Sequence, residues 1–303
     1  MATAHPYHFH VYDVFTEQRF AGNPLAIVLG ADGTSDRTMQ AVAREFNLSE
    51  TIFITAPDDP SHEAGVRIFT PTYEMPFAGH PVVGAAIHLA ERRWHKGPID
   101  ETIVLECRAG AVPVRVRRGK GHVQATFTAP IIPHPVGDPV RRELAAQALG
   151  LSIEDVRDDH PCVAHEGGPT FAYVPLASLD ALAKSRPTEP VFSETFERSG
   201  RVGVYCYAAD PQADGLAFRA RMFAPGAGVA EDPATGSASA ILASQLFAAN
   251  AIGDGTTSVS LIQGVEMGRR SEIALEVDVS NGAISAVRVT GAAVRVSDGQ
   301  ILA

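Results

Sequence analysis

The sequence offers few reactive thiols and no patch with which to grip a polyanion. Three cysteines, Cys107, Cys162 and Cys206, are spread over 303 residues without metal-ligand spacing, and their odd number suits a reducing compartment better than a disulfide framework. They read as small buried hydrophobes. Lys and Arg number 25 against 35 Asp and Glu, a formal net charge of −10, and no basic run interrupts the excess. Nucleic acid and anionic membrane surfaces both demand clustered cations, so neither is expected as a partner. The opening residues MATAHPYHFHVYDVF lack a basic segment followed by an apolar one, so no secretory signal is read. The longest uncharged stretch, residues 233–253, is dominated by Ala and carries Ser, Thr, Gln and Asn, which makes a poor bilayer span. A soluble, cytoplasmic protein is expected.

What the sequence does contain is a repeat. Residues 67–80 read RIFTPTYEMPFAGH and residues 221–237 read RMFAPGAGVAEDPATGS. Glu74, Pro76, Gly79 and His80 match Glu231, Pro233, Gly236 and Ser237, and the second copy carries three extra residues between its Pro and its Glu, as a loop would. Each copy runs into an apolar, helix-like stretch, so each reads as a strand, a Pro/Gly loop and a helix N-terminus. Unpaired N–H groups at two such helix ends suit a small anion.

The two helical stretches, residues 81–92 and 238–249, are apolar around most of their circumference and are therefore expected to be buried on all sides. In a domain of about 130–150 residues, that implies a strongly curved sheet wrapped around one central helix. Strands are read at residues 8–15, at 25–29 after a Gly22-Asn23-Pro24 turn, at 52–54, 102–116 and 123–127, with a turn at residues 118–121. A hairpin joins 273–279 to 284–289 through Asn281-Gly282. Ser35 caps a helix whose Met39, Val42, Ala43 and Phe46 share one face. Residues 129–139 hold four prolines and read as a linker. The expected architecture is α+β, two pseudo-symmetric domains of residues 1–130 and 131–303, each a curved, barrel-like, mostly antiparallel sheet around a helix, with a strand near 291–303 returning to the first.

Four segments carry a resemblance: FAGNP (20–24), NLSET (47–51), FTPxxExPFAGHP (69–81) and FAPGxGxxEDPATGSA (223–238). In order and spacing they resemble the PhzF-like phenazine biosynthesis family, which is similar in fold to diaminopimelate epimerase. The resemblance implies one site in the cleft between two domains, a homodimer, and isomerisation of a small carboxylate-bearing, amino-acid-like or cyclic metabolite without metal or organic cofactor. The family's founding reaction is isomerisation of trans-2,3-dihydro-3-hydroxyanthranilate. Carried onto this chain, it assigns the proton-shuttling base to Glu50, with His80, Asp232 and Ser237 as polar partners. Gly79, Thr235 and Gly236 in the two motifs, Asn23 in its turn, and Gly168 in the Gly167-Gly168-Pro169 turn are the accompanying substrate-lining candidates.

Taken without the family, each residue has a plainer reading. Glu50 is a cap or surface carboxylate, although Leu48, Ile52 and Phe53 around it would raise its pKa if they bury it. His80 is a helix-start residue satisfied by its own loop, Ser237 an N-cap, and Asp232 an Asx acceptor before proline. Arg67 and Arg221, with Glu74 and Glu231, recur in both copies and read as scaffolding. Diaminopimelate epimerase and its relatives use a cysteine from each half; neither motif here has one, which favours proton transposition over stereoinversion by two thiols. An epimerase or a catalytically degenerate binding protein are the alternatives. His8-x-His10 shows no third ligand and reads as surface strand, and Gly226-x-Gly228 as a loop. Tyr73, Met75, Ala227, Val229 and Ala230 are positions that would reshape a pocket.

Overall fold

A computed structural model describes residues 6–119, 121–199 and 203–303, in two compact units: Met1–Thr128 with Thr290–Ala303, and Ala129–Val289. In the first unit the order is β1 (Pro6–Val14), β2 (Asn23–Val28), α1 (Asp36–Phe46), β3 (Glu50–Thr55), β4 (Ala64–Phe69), β5 (Glu74–Met75), α2 (Gly79–Arg93), β6 (Ile99–Cys107), β7 (Gly110–Arg118) and β8 (Val123–Thr128). The second contains β9 (His134–Val140), α3 (Arg142–Ala148), β10 (Cys162–Glu166), β11 (Thr170–Pro175), α4 (Leu179–Lys184), α5 (Val191–Thr195), β12 (Gly203–Ala209), β13 (Leu216–Ala224), β14 (Val229–Asp232), α6 (Gly236–Ala248), β15 (Gly255–Gln263) and β16 (Ser271–Ser280). The last strand, β17 (Ala283–Leu302), gives its first residues to the second unit and its remainder to the first.

The pairing in the first unit closes on itself. β1 is antiparallel to β2 and β17, β2 runs parallel to β3, β3 antiparallel to β4, β4 parallel to β6, and β6, β7 and β8 follow as antiparallel neighbours before β8 meets β17. This eight-strand barrel surrounds α2, whose Val82, Val83 and Ile87 are completely buried. Each such side chain contributes about 1.5–3 kcal/mol by leaving water. The helix is held so close to the sheet that a Cβ on Gly84 would sit 2.5 Å from Leu25 Cδ2.

The second unit repeats the sequence of pairings. β9–β10 and β10–β11 are antiparallel, β11–β12 parallel, β12–β13 antiparallel, β13–β15 parallel and β15–β16 antiparallel. α6 takes the place of α2, with Ala238, Leu242, Ala243 and Leu246 fully buried. Asn281 and Gly282 both adopt positive φ, 54° and 72°, as a two-residue hairpin from β16 into β17 requires. Ser35 caps α1 by accepting from the Thr38 backbone N–H, and Met39, Val42 and Ala43 are its buried face.

Two sequence readings are corrected. The proline-rich segment 129–139 is not simply a linker, because His134–Val140 is strand β9; its Pro139 falls between Val136 and Val140, where the register against β10 shifts and the ladder is already interrupted. The stretch 102–116 is two strands, turning at Arg108-Ala109 so that Cys107 pairs with Gly110. Lys120, within the turn read at residues 118–121, lies outside the described residues. Among the described residues no helix is long and apolar enough to cross a membrane.

Candidate active site

In the first unit, α1 stops at Asn47, which takes a left-handed conformation and returns its N–H to Ala43, and Glu50 then opens β3. Parallel pairing sets Glu50 opposite Leu25, and Asn23, fully buried, begins the neighbouring strand two residues earlier. Pro76-Phe77-Ala78 brings the chain to α2 from the other side. Ala78 is the N-cap and has no side chain that could bond the first turn, so the initial N–H groups of α2 are uncapped by a side chain. Gly79 and His80 are the first two helical residues, and His80 Nδ1 lies 3.3 Å from Glu50 Oε2.

His80 is 4% exposed, and burial pushes its pKa down to about 3, so the imidazole is neutral at neutral pH. His80 is thus a neutral neighbour of Glu50 and not the cation of an ion pair. His80 Nε2 finds no hydrogen-bond partner among the described residues. The phenol of Tyr73 is raised in pKa by burial first and then by the charge of Glu50.

The duplicated Arg–Glu pairs brace the two motif loops. Arg67 Nε and Nη2 donate to Glu74 at 2.8 and 2.7 Å, and Arg221 Nε and Nη2 donate to Glu231, both at 2.8 Å. Such two-pronged contacts fix geometry as well as energy. Arg221 also donates to the carbonyls of Leu182, Ala183 and Ser185.

In the second unit, Asp232 ends β14 and is buried, accepting from Thr235 Oγ1 at 2.6 Å. Thr235 is the N-cap of α6 but its hydroxyl is turned to Asp232, so this helix too begins without a side-chain cap. Gly236 and Ser237 are its first residues; Ser237 therefore lies within the first turn and is not the N-cap that the sequence suggested. Gly168, at φ 105°, sits in the β10–β11 turn, whose Gly167 is packed on Ile241 of α6.

One residue escaped the sequence reading. Gln263 is fully buried and holds the loop from both sides: its Nε2 donates to Asp232 O at 2.7 Å and to Thr235 Oγ1 at 3.0 Å, and its Oε1 accepts from Thr235 N. Its signal was a Gln in register with inward-facing Val259 and Leu261 on an alternating strand. Gly264 follows at φ 76°, where a Cβ would meet Pro233 O and Arg269 O at 2.6 Å.

Strand registers show where the repeat is broken. Phe69 faces Thr51 across β4–β3, and Phe223 faces Val204 across β13–β12; one residue earlier, Glu50 corresponds to Gly203. A Cβ on Gly203 would crowd Phe223 O at 2.9 Å, so no carboxylate fits there. Nor is a thiol available: all three cysteines are buried, with burial pushing Cys107 and Cys162 up to about 12. Among the described residues, no group of three His, Cys, Asp or Glu could hold a metal ion.

Two repeats of one sheet-around-a-helix arrangement define the diaminopimelate epimerase-like class of fold. The model of the phenazine biosynthesis-like proteins matches residues 12–299, and the chain belongs to that family. It is 41% identical over 295 residues to an uncharacterized isomerase of Mesorhizobium japonicum, covering 96% of this chain and 97% of the relative. It is 35% identical over 290 residues to the trans-2,3-dihydro-3-hydroxyanthranilate isomerase of Pseudomonas aeruginosa, covering 96% and 97%. The crystal structure of a Bacillus anthracis phenazine biosynthesis protein of the PhzF family superposes with a TM-score of 0.87 at 25% identity, covering 99% of this chain and all of that one. The chain is an isomerase of this family.

Proposed function

We propose that this isomerase moves a proton within a small carboxylate-bearing, amino-acid-like or cyclic metabolite, with Glu50 as the base and without metal or organic cofactor. The observation that carries the reading is the Glu50–His80 contact at the uncapped end of α2, with Gly203 at the equivalent position of the repeat. One carboxylate serves one face of a substrate. Glu50 takes the proton from carbon and returns it to another carbon on that face, with neutral His80 standing beside its carboxyl group, Nδ1 3.3 Å from Oε2. The side-chain-uncapped N–H groups at Gly79, beside Glu50 in the same unit, are suited to a substrate carboxylate. Asp232, locked to Thr235 and Gln263, keeps the second motif's loop in shape. The substrate named for the Pseudomonas aeruginosa relative, a cyclic amino acid, is of this class.

The test is the path of the proton. With trans-2,3-dihydro-3-hydroxyanthranilate as first trial substrate, and related cyclic amino acids next, deuterium at the abstracted position is expected to appear partly at the new carbon of the product. Retention should rise as turnover outruns exchange with water. Complete incorporation of solvent label at the original carbon with inverted configuration would replace the isomerisation by a two-base epimerisation. Ligand binding without turnover across the series would point to a binding protein.

A further inference from the structure

The opposite end of α2 carries a second constellation that the proposed chemistry does not use. A cleft of about 690 Å³ opens there, lined by four arginines, Arg19, Arg92, Arg118 and Arg295, and one carboxylate, Glu91, with Asp298 outside the lining 4.0 Å from Arg295. That is a concentrated positive field in a chain of net charge −10. Two of the four are fixed by backbone carbonyls: Arg19 donates to Arg295 O, and Arg118 to Gly97 O and Trp94 O beyond the helix end. Arg92, exposed on the last turn of α2, has no carboxylate partner among the described residues. Ligand sites commonly occupy about 300–1,000 Å³, so the cleft has room for a small molecule.

The floor is more specific than the rim. His88 is 2% exposed, and its Nδ1 lies 3.2 Å from Tyr12 OH, which in turn donates to Glu91 Oε2 at 3.1 Å. A phenol has one proton; spent on Glu91, it leaves the Tyr12 oxygen as acceptor, so His88 carries its hydrogen on Nδ1 and a bare lone pair on Nε2. Burial, reinforced by His10, Arg92 and Arg295, keeps the ring neutral at neutral pH. That Nε2 has no partner among the described residues, and neither has Nδ1 of His10, whose ring lies against His88 with centroids 4.7 Å apart. A buried acceptor without a donor costs free energy unless something supplies one.

We propose that this cleft is a second ligand site, built for a compact anion that also carries a hydrogen-bond donor, such as hydrogenphosphate or a small hydroxy acid. The guanidiniums of Arg92 and Arg295 take the anionic oxygens, and the ligand's O–H is donated to His88 Nε2. Eight residues of helix separate His88 from His80, about 12 Å, so the two sites share one rigid element without overlapping.

Imidazole nitrogen NMR on the intact chain, titrated with inorganic phosphate, L-malate and sulfate at neutral pH, tests the proposal. The free protein should show His88 protonated on Nδ1. Phosphate or malate, each with an O–H, should shift the Nε2 resonance, and sulfate, an isosteric anion without a proton, should bind at least about tenfold more weakly. Whichever of phosphate and malate binds tighter identifies the ligand source. Arg92→Gln, on the surface, should weaken phosphate by at least about tenfold, and His88→Phe should erase the preference over sulfate. An unmoved Nε2 at saturating phosphate, equal affinity for phosphate and sulfate, or shifts confined to amides 79–82 and 236–239 would overturn it. The last outcome assigns the anion to the helix N-termini instead.

Discussion

In the proposed reaction Glu50 and a buried neutral histidine 3.3 Å away have roles that single substitutions can separate. Glu50→Gln keeps shape and removes basicity, so turnover is expected to fall at least about a hundredfold while the thermal midpoint barely moves. Near-normal kcat in that variant would remove Glu50 from the mechanism. Acid stability tests the buried histidines. His80 and His88 are lowered to about 3, and His165, hydrogen-bonded to Ser244 and Gln245, to about 4, against an ordinary value of 6.5. Because the unfolded chain takes up these protons first, stability is full above about pH 6.5 and falls as pH drops toward 4, with a slope approaching about 4 kcal/mol per pH unit for three protons. Thermal unfolding followed between pH 4 and 7 should show it, and His165→Gln should flatten the slope. Motif residues such as Glu50 and His80 were legible because the chain states them in long fixed strings. Gln263 was not, since its role depends on a strand reaching back to a loop some thirty residues earlier.

At the scale of elements, legibility followed the strength of local signals. Asn281-Gly282 and the Ser35 cap were readable because their residue types dictate backbone conformation. The β6–β7 turn is hard to read because Arg108-Ala109-Gly110-Ala111 is a weak turn signal between two apolar-rich strands; the trace it leaves is the shift of the buried set from odd positions, Leu105 and Cys107, to even ones, Val112 and Val114. Strand β9 was missed because four prolines in 129–139 outweighed its pattern, and the break in register that accommodates Pro139 is set by the partner strand, not by the local sequence. The loop ahead of α6 offers a test of element packing. Gly264→Ala combines a positive φ with a contact against Pro233 O that cannot be relieved by a side-chain rotation. It should cost about 1–3 kcal/mol and, by displacing Asp232 and Thr235, lower kcat/KM by up to about a hundredfold. Wild-type kcat/KM in this variant, measured on a turned-over substrate, would show that the loop's position is immaterial.

For the molecule as a whole, the buried, high-pKa thiols and the absence of a three-ligand cluster among the described residues lead to a joint expectation. Dialysis against a chelator and alkylation of the native protein should both leave turnover intact; loss on chelation, restored by one metal, would reopen the mechanism. The closed pairing of the first unit makes a further demand. Removing residues 290–303 deletes the strand that meets both β1 and β8, so hydrogen-exchange protection along α2 should collapse in the truncated chain.

That arrangement also ties folding to the clock of translation. The first unit's sheet cannot be completed until residues 290–302 have left the ribosome, after the entire 129–289 segment has been made. At about 5–20 residues per second, the nascent chain carries two unsatisfied strand edges for roughly ten to thirty seconds. During that interval it is a natural client for holding chaperones, and a slow codon late in the message would lengthen its exposure to aggregation more than the same codon placed early.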